Sequence, residues 1–143
     1  MDRIDQHILR LLAANARIPV SKLSSELKIA RSTVQARLER LERNGSISGY
    51  TVKLGAALNQ GRIKATVLLS VEPKTQPAVI SRLKVLPEVE AAHTTSGRFD
   101  LLLQVAANTT DELDRVLDKI GEIQGVKSSE SLIHLSTRID RAL

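Results

Sequence analysis

A change of rhythm restricts what this chain can become. Up to about residue 43 its apolar side chains recur at helical spacing, whereas from Ile63 to Val71 they alternate with polar neighbours. Helices repeat every 3.6 residues and strands every two, so one segment cannot satisfy both patterns. An all-helical part must therefore precede a part built on a sheet. Ile4, Ile8, Leu11 and Leu12 predict a first helix over about 3–14, with Asp2 and Asp5 at the positive end of its dipole. Pro19 is placed to start a second helix over 19–27, carrying Val20, Leu23 and Leu27, before the pattern breaks at Lys28–Ala30. Val34, Leu38 and Leu41 then share one arc of a third helix over 31–43, stopped by Asn44-Gly45 with Gly45 suited to a left-handed cap.

Ile47, Tyr50, Val52 and Leu54 read as an extended, wing-like segment, and Gly55–Gly61 as a linker. Beyond it, Ile63, Ala65, Val67, Leu69 and Val71 predict a half-buried strand within 62–72. Thr75 is expected to cap a helix over 76–85 that ends before Pro87. Two strands, Val89–Thr95 and Phe99–Ala106, are expected around a tight turn at Ser96-Gly97-Arg98. A helix over 110–121, capped at Thr109 or Thr110, and a last strand from Val126 to Ser136 complete a βαββαβ order. That order is the ferredoxin-like arrangement, a four-stranded antiparallel sheet with two helices on one face. The chain is thus expected to be α+β, with a helical domain over 1–50, a connecting segment over 51–61 and a sheet domain over 62–143. Leu68, Leu102 and Leu132 would lie on the uncovered sheet face, so a homodimer through that face is expected.

Charge divides at the same place. Residues 1–60 hold ten Lys/Arg against five Asp/Glu, while residues 61–143 hold eleven of each, so the whole net charge of +5 belongs to the helical part. A basic segment joined to a neutral one points to a polyanionic partner for the first. Without cysteine the chain has no disulfides, thiol nucleophile or thiolate metal site. One Tyr, one Phe and no Trp argue against stacking of single-stranded bases. No segment joins a basic start to an apolar run or reaches the length of a membrane span, so a cytoplasmic location is expected.

Three short helices with a brief break between the second and third match a helix-turn-helix, whose later helix enters the major groove of duplex DNA. With Val34, Leu38 and Leu41 buried, Ser32, Ala36 and Arg43 face outward, with Thr33 and Arg40 at the edges. Arginine can take guanine bidentately, Ser and Thr can bond bases or phosphates, and an Ala methyl can meet thymine. Arg31 and Arg37 lie nearer the flanks, where phosphate contacts hold register. The competing reading is a trihelical protein-interaction module with solubilising arginines.

The same residues resemble a known family. Asp2-x-x-Asp5 with Ile8-Leu9, Asn15-Ala16-Arg17-Ile18, the run Ser32-Thr33-Val34-x-x-Arg37-Leu38-x-x-Leu41, and Asn44-Gly45-x-Ile47-x-Gly49-Tyr50 look like the Lrp/AsnC family of transcription regulators. The likeness continues through Leu86–Val89, Ser96–Leu102 and Gly125-Val126. It implies a winged helix-turn-helix DNA reader, a hinge strand within 51–61, and a ferredoxin-like lobe that dimerises and assembles further, commonly to octamers. It also implies a small effector, usually an amino acid, bound between dimers. Gly97 and Asp100 match the family's Gly-x-x-Asp motif, and Leu132, Ile133 and His134 match a strand segment that lines the pocket. Asp100 beside hairpin amides would receive an α-ammonium group, unless Arg98 pairs with it and closes the site. Two departures stand out: Lys28 occupies the position of a turn glycine, and Ala30 replaces a capping Ser, leaving Ser32 and Gln35 as an alternative capping box.

Some haem-pathway decarboxylases are similar to this family in fold, which raises an enzyme as the alternative. His7, His93 and His134 have no metal-ligand spacing, although His93 and His134 could meet across the sheet. No phosphate loop, nucleophile elbow or carboxylate pair occurs, so neither catalysis nor a cofactor is expected.

Overall fold

The computed structural model describes residues 1–59 and 61–141, which divide into two compact units, Met1–Lys53 together with Arg141, and Leu54–Asp140. The first unit contains α1 (Arg3–Ala14), α2 (Val20–Leu27) and α3 (Arg31–Arg43). Asp2 caps α1, its carboxylate accepting the Asp5 amide at 2.9 Å. Pro19 sits one residue earlier than expected, as the N-cap of α2 rather than its first residue, and its carbonyl receives the Lys22 and Leu23 amides. Ile8, Leu23, Val34 and Leu41 close the small core. Gly45 adopts φ 80°, as its place after α3 requires.

The segment expected as a wing and hinge strand departs from that expectation. Residues 51–55 are irregular, and a short helix, α4 (Ala56–Asn59), stands in the linker. Among the described residues no strand occurs there. Gln60 lies outside the described residues.

In the second unit β1 (Ile63–Val71) is followed by a 3₁₀ turn (Pro73–Thr75), α5 (Gln76–Lys84), β2 (Val89–Thr94), β3 (Leu101–Ala107), α6 (Thr110–Gly121) and β4 (Val126–Ile133). All neighbours are antiparallel in the order β2-β3-β1-β4. The expected ferredoxin-like fold is therefore the observed one. Ala65, Val67, Leu69, Leu101, Leu103 and Val105 pack with Val79 and Leu83 of α5 and with Leu113, Val116 and Ile120 of α6. Thr109 caps α6 by accepting the Glu112 amide. Thr75 does not cap α5: its hydroxyl donates to the Glu72 carbonyl at 2.8 Å and stabilises the 3₁₀ turn instead. Gly125, at φ 104°, lies against that turn, and a Cβ there would come within 2.2 Å of Thr75 Oγ1.

Neither α5 nor α6 covers the opposite sheet face. Pairing sets Leu102 of β3 beside Leu68 of β1, and Thr66 of β1 between Gln104 and Leu132. Leu68 and Leu102 are half-buried, and Leu132 is 49% exposed.

Candidate nucleic-acid interface and effector site

Helix α3 begins at Arg31, with Ala30 as its N-cap and no side-chain cap bond, so the alternative capping box of Ser32 and Gln35 does not form. The turn before it passes through Lys28 at φ 56°, ψ 44°, the left-handed conformation in which the family pattern uses glycine. Among described residues Lys28 is the sole non-glycine with positive φ. The Ser24 hydroxyl donates to the Ile29 carbonyl and helps hold the turn. Arg31, Ser32, Thr33 and Ala36 are exposed, and the side chains of the first three make no hydrogen bond or ion pair among the described residues. Gln35 and Glu39 share this exposed side. Sequence reasoning did not place Gln35 on the outward face. Arg43 is exposed at the far end, its Nε donating to the Glu39 carbonyl at 3.4 Å. Tyr50 donates its hydroxyl to Glu42 Oε1 at 2.8 Å, which anchors the chain beyond Gly45 to α3. Partial burial, and then the Glu42 carboxylate, push the Tyr50 phenol above its ordinary pKa.

Arg37 and Arg40, expected to face a phosphate and a base, instead reach α1. Arg37 NH1 donates to Asp2 Oδ2 at 2.7 Å and to Asp5 Oδ1 at 3.0 Å, and Arg40 NH2 donates to Asp5 Oδ2 at 2.7 Å. Asp5 is 1% exposed, the sole buried charged residue among those described. A buried carboxylate needs compensating donors, and the nearest cations are these two, one helix turn apart on α3. Helical periodicity showed which way α3 faces but not that Asp2 and Asp5 lie opposite it. The signal was the Asp-x-x-Asp spacing, which sequence reasoning used for the helix dipole and the family resemblance but not for pairing.

In the second unit Asp100 is engaged rather than free. Its Oδ2 accepts the Val71 amide at 2.9 Å, and its own amide donates to the Leu69 carbonyl at 2.8 Å. Thr95 bonds back to Asp100 and Phe99, so these residues belong to a loop and β3 starts two residues later than expected. Gly97 crowns the loop at φ 128°. Among the described residues the amides of Ser96, Gly97 and Arg98 donate to no backbone carbonyl. Arg98 does not close on Asp100; it lies 3.6 Å from Glu130 Oε2 and 5.1 Å from the centre of the Phe99 ring.

Leu132, Ile133 and His134 are at the other end of the sheet. The His134 amide donates to the Lys64 carbonyl, whereas Asp100 bonds Leu69, five residues along β1, a separation of about 16 Å. One chain therefore does not bring the two halves of the expected effector site together. β4 ends at Ile133 rather than Ser136, with the His134 amide making one further bond to β1 beyond it. His134 Nε2 is 2.8 Å from Thr66 Oγ1, which also bonds Gln104. His93 belongs to β2 and His134 follows β4, at opposite edges of the sheet and so at least three strand spacings, about 14 Å, apart; they do not meet. Among the described residues no cluster of His, Asp or Glu could hold a metal ion, and no helix is long and apolar enough to cross a membrane.

Comparison with known proteins draws these features together. Residues 1–42 match the AsnC-type helix-turn-helix domain, and residues 64–143 match the Lrp/AsnC ligand binding domain. The chain belongs to the Lrp/AsnC family. An HTH-type transcriptional regulator of Pyrococcus abyssi is 33% identical over 96% of this chain and 88% of its own length. The HTH-type transcriptional regulator LysM of Saccharolobus solfataricus is 31% identical over 96% and 95%. The structure of E. coli AsnC superposes with a TM-score of 0.90 at 26% identity, covering 100% of this chain and 97% of that one. A Neisseria meningitidis transcriptional regulator solved as an L-Met complex shares the fold, with a TM-score of 0.85 at 24% identity over 95% and 90%. As a Lrp/AsnC protein, the chain is a transcriptional regulator with a helix-turn-helix and a ligand-binding domain.

Proposed function

We propose that this regulator reads duplex DNA with the outer face of α3, pairs with a second copy through its open sheet face, and changes assembly and DNA affinity when an amino acid binds between dimers. The observation that carries the DNA reading is the run of unpartnered, exposed side chains at Arg31, Ser32 and Thr33, with Ala36 beside them, on the second helix of the helix-turn-helix pair. These residues have donors, acceptors and a methyl group available for base edges. Arg43 and the charge of the unit supply phosphate attraction. Leu68, Leu102 and Leu132 support pairing of sheet faces, since a second copy would remove them from water.

The effector site is proposed to be shared between chains. The Ser96–Arg98 amides of one copy would take the ligand carboxylate, and Asp100 would face its ammonium group, with Leu132, Ile133 and His134 supplied by another copy. The separation of these groups within one chain, and the L-Met complex of the Neisseria relative, support this reading. Higher assembly, to octamers of four dimers, would follow from such contacts. A ligand there shifts DNA affinity only by its differential binding to the assembled states.

Retardation of duplex DNA by Arg31→Ala and Thr33→Ala, with calorimetry and sedimentation against the twenty amino acids, tests the proposal. A base-reading residue should cost about 1–3 kcal/mol on its cognate site. Wild-type DNA affinity in both variants would remove α3 as the reading surface. Sedimentation unmoved by an amino acid that calorimetry shows to bind would remove the assembly mechanism.

A further inference from the structure

Arg37 carries two separable contacts on one nitrogen. NH1 has two hydrogens: one goes to Asp5 Oδ1 at 3.0 Å and the other to Asp2 Oδ2 at 2.7 Å. The two acceptors live in different surroundings, because the Asp5 side chain is 2% exposed while that of Asp2 is 51% exposed. Asp5 also holds Arg40 through its second oxygen, so it stays compensated if Arg37 changes its outer partner. Asp2, at the surface, presents to Arg37 an anionic oxygen of the same charge as a phosphate oxygen. Exposed ion pairs are weak and are easily exchanged.

We propose that Asp2 is an internal phosphate mimic that lowers DNA affinity by occupying the outer hydrogen of Arg37, while Arg37 and Arg40 act through Asp5 as positioning residues that seat α3 on α1. The inference rests on DNA binding by this unit, and its test separates the two. Asp2→Asn suits the purpose, because Asn caps a helix as well as Asp does and the cap of α1 is retained while the charge goes. With full-length protein and a mixed-sequence duplex, Asp2→Asn should bind about fivefold more tightly near 0.1 M salt, and its salt dependence should steepen by about 0.9, the signature of one added phosphate contact.

Loss of any acid attracts DNA at long range, so two controls isolate the mechanism. Glu26→Gln removes an exposed charge of the same unit that makes no ion pair among the described residues, and it should leave the slope unchanged. In an Arg37→Gln background, Asp2→Asn should lose its extra slope. Guanidinium nitrogen resonances of the wild-type protein give a readout independent of variant folding: Arg37 should shift on DNA addition, and Arg40 should not. An unchanged slope in Asp2→Asn, a gain that persists without Arg37, or an Arg37 resonance indifferent to DNA would each overturn the proposal. Absence of duplex binding by the wild type would instead strike the DNA reading on which it rests.

Discussion

The two units solve the same packing problem with different materials. The sheet unit joins thirteen buried apolar residues in one cluster, so its order comes from aliphatic contact and ladder hydrogen bonds. Among the described residues the helical unit buries four apolar side chains, Ile8, Leu23, Val34 and Leu41, and completes its interior with an aspartate held by two arginines. Its third helix carries four arginines on thirteen residues, which leaves little apolar surface to bury. A small cationic unit therefore uses charge to fix a helix orientation that a larger core fixes by shape. The sheet unit is the sturdier of the two and the helical one the more sensitive to its polar contacts.

Core truncation should break this comparison most visibly. Leu103→Ala removes a fully buried side chain from the centre of the sheet and should cost about 3 kcal/mol, read as a drop in denaturation midpoint with protection lost in β1 and β3. Sparing of the sheet amides in hydrogen exchange would show that the cluster is less cooperative than its contacts suggest.

Asp5→Ala comes next, at about 2 kcal/mol for charged hydrogen bonds lost. Exchange protection should fall in α1 and α3 and stay unchanged in the sheet. Equal loss in both units would end the distinction between them.

Asp100→Ala should cost about 1.5 kcal/mol, because the Val71 amide loses its acceptor. Sequence reasoning allowed Asp100 both to receive a ligand and to bond turn amides, yet expected its removal to leave folding nearly intact. The structure makes it a brace for the hairpin, and Asp100→Asn, which keeps an acceptor, should retain most of the stability. A melting temperature for Asp100→Ala equal to wild type would restore the earlier view.

Changes at the helix-turn-helix break should be smaller and favourable. Ala30→Ser supplies the missing cap of α3 and should add about 1 kcal/mol. Lys28→Gly relieves the left-handed conformation but loosens the unfolded chain, so its gain should be about 0.5 kcal/mol. Thermal melts of the two variants check both values. A destabilised Lys28→Gly would mean that the Lys28 side chain contributes more than its backbone costs.

Acid should give the smallest effect and the most local one. The Asp5 amide, and after it Arg37, hold the Asp2 carboxyl below the ordinary carboxylate range. A carboxyl with a lowered folded pKa contributes in full above its unfolded value and loses that contribution as pH falls through the folded one. Fraying of the first turn of α1 should therefore set in as pH falls through the ordinary carboxylate range and be complete only below it, seen by exchange or carbonyl NMR. Fraying already at neutral pH would show that Asp2 is not held.

Much of this architecture was legible in the sequence because it rests on periodicity. The helical spacing of Ile8, Leu23, Val34 and Leu41 and the alternation from Ile63 to Val71 placed α1, α2, α3 and β1, and the element order dictated the ferredoxin-like sheet. The strain at Lys28 and the missing cap at Ala30 were also visible, since backbone preference and capping are properties of single residues. The motif residues of the resemblance pointed to the family.

Partnership between distant residues was not legible. That Arg37 and Arg40 turn to Asp2 and Asp5, that Asp100 braces Val71, and that Asp100 and His134 lie at opposite ends of β1 depend on which elements pack together. Sequence by itself determined the local elements and their apolar faces, because those follow from a residue and its near neighbours. Only tertiary structure decided which charges are spent within the fold and which remain for a partner, because side chains more than thirty positions apart meet only after the helices have docked.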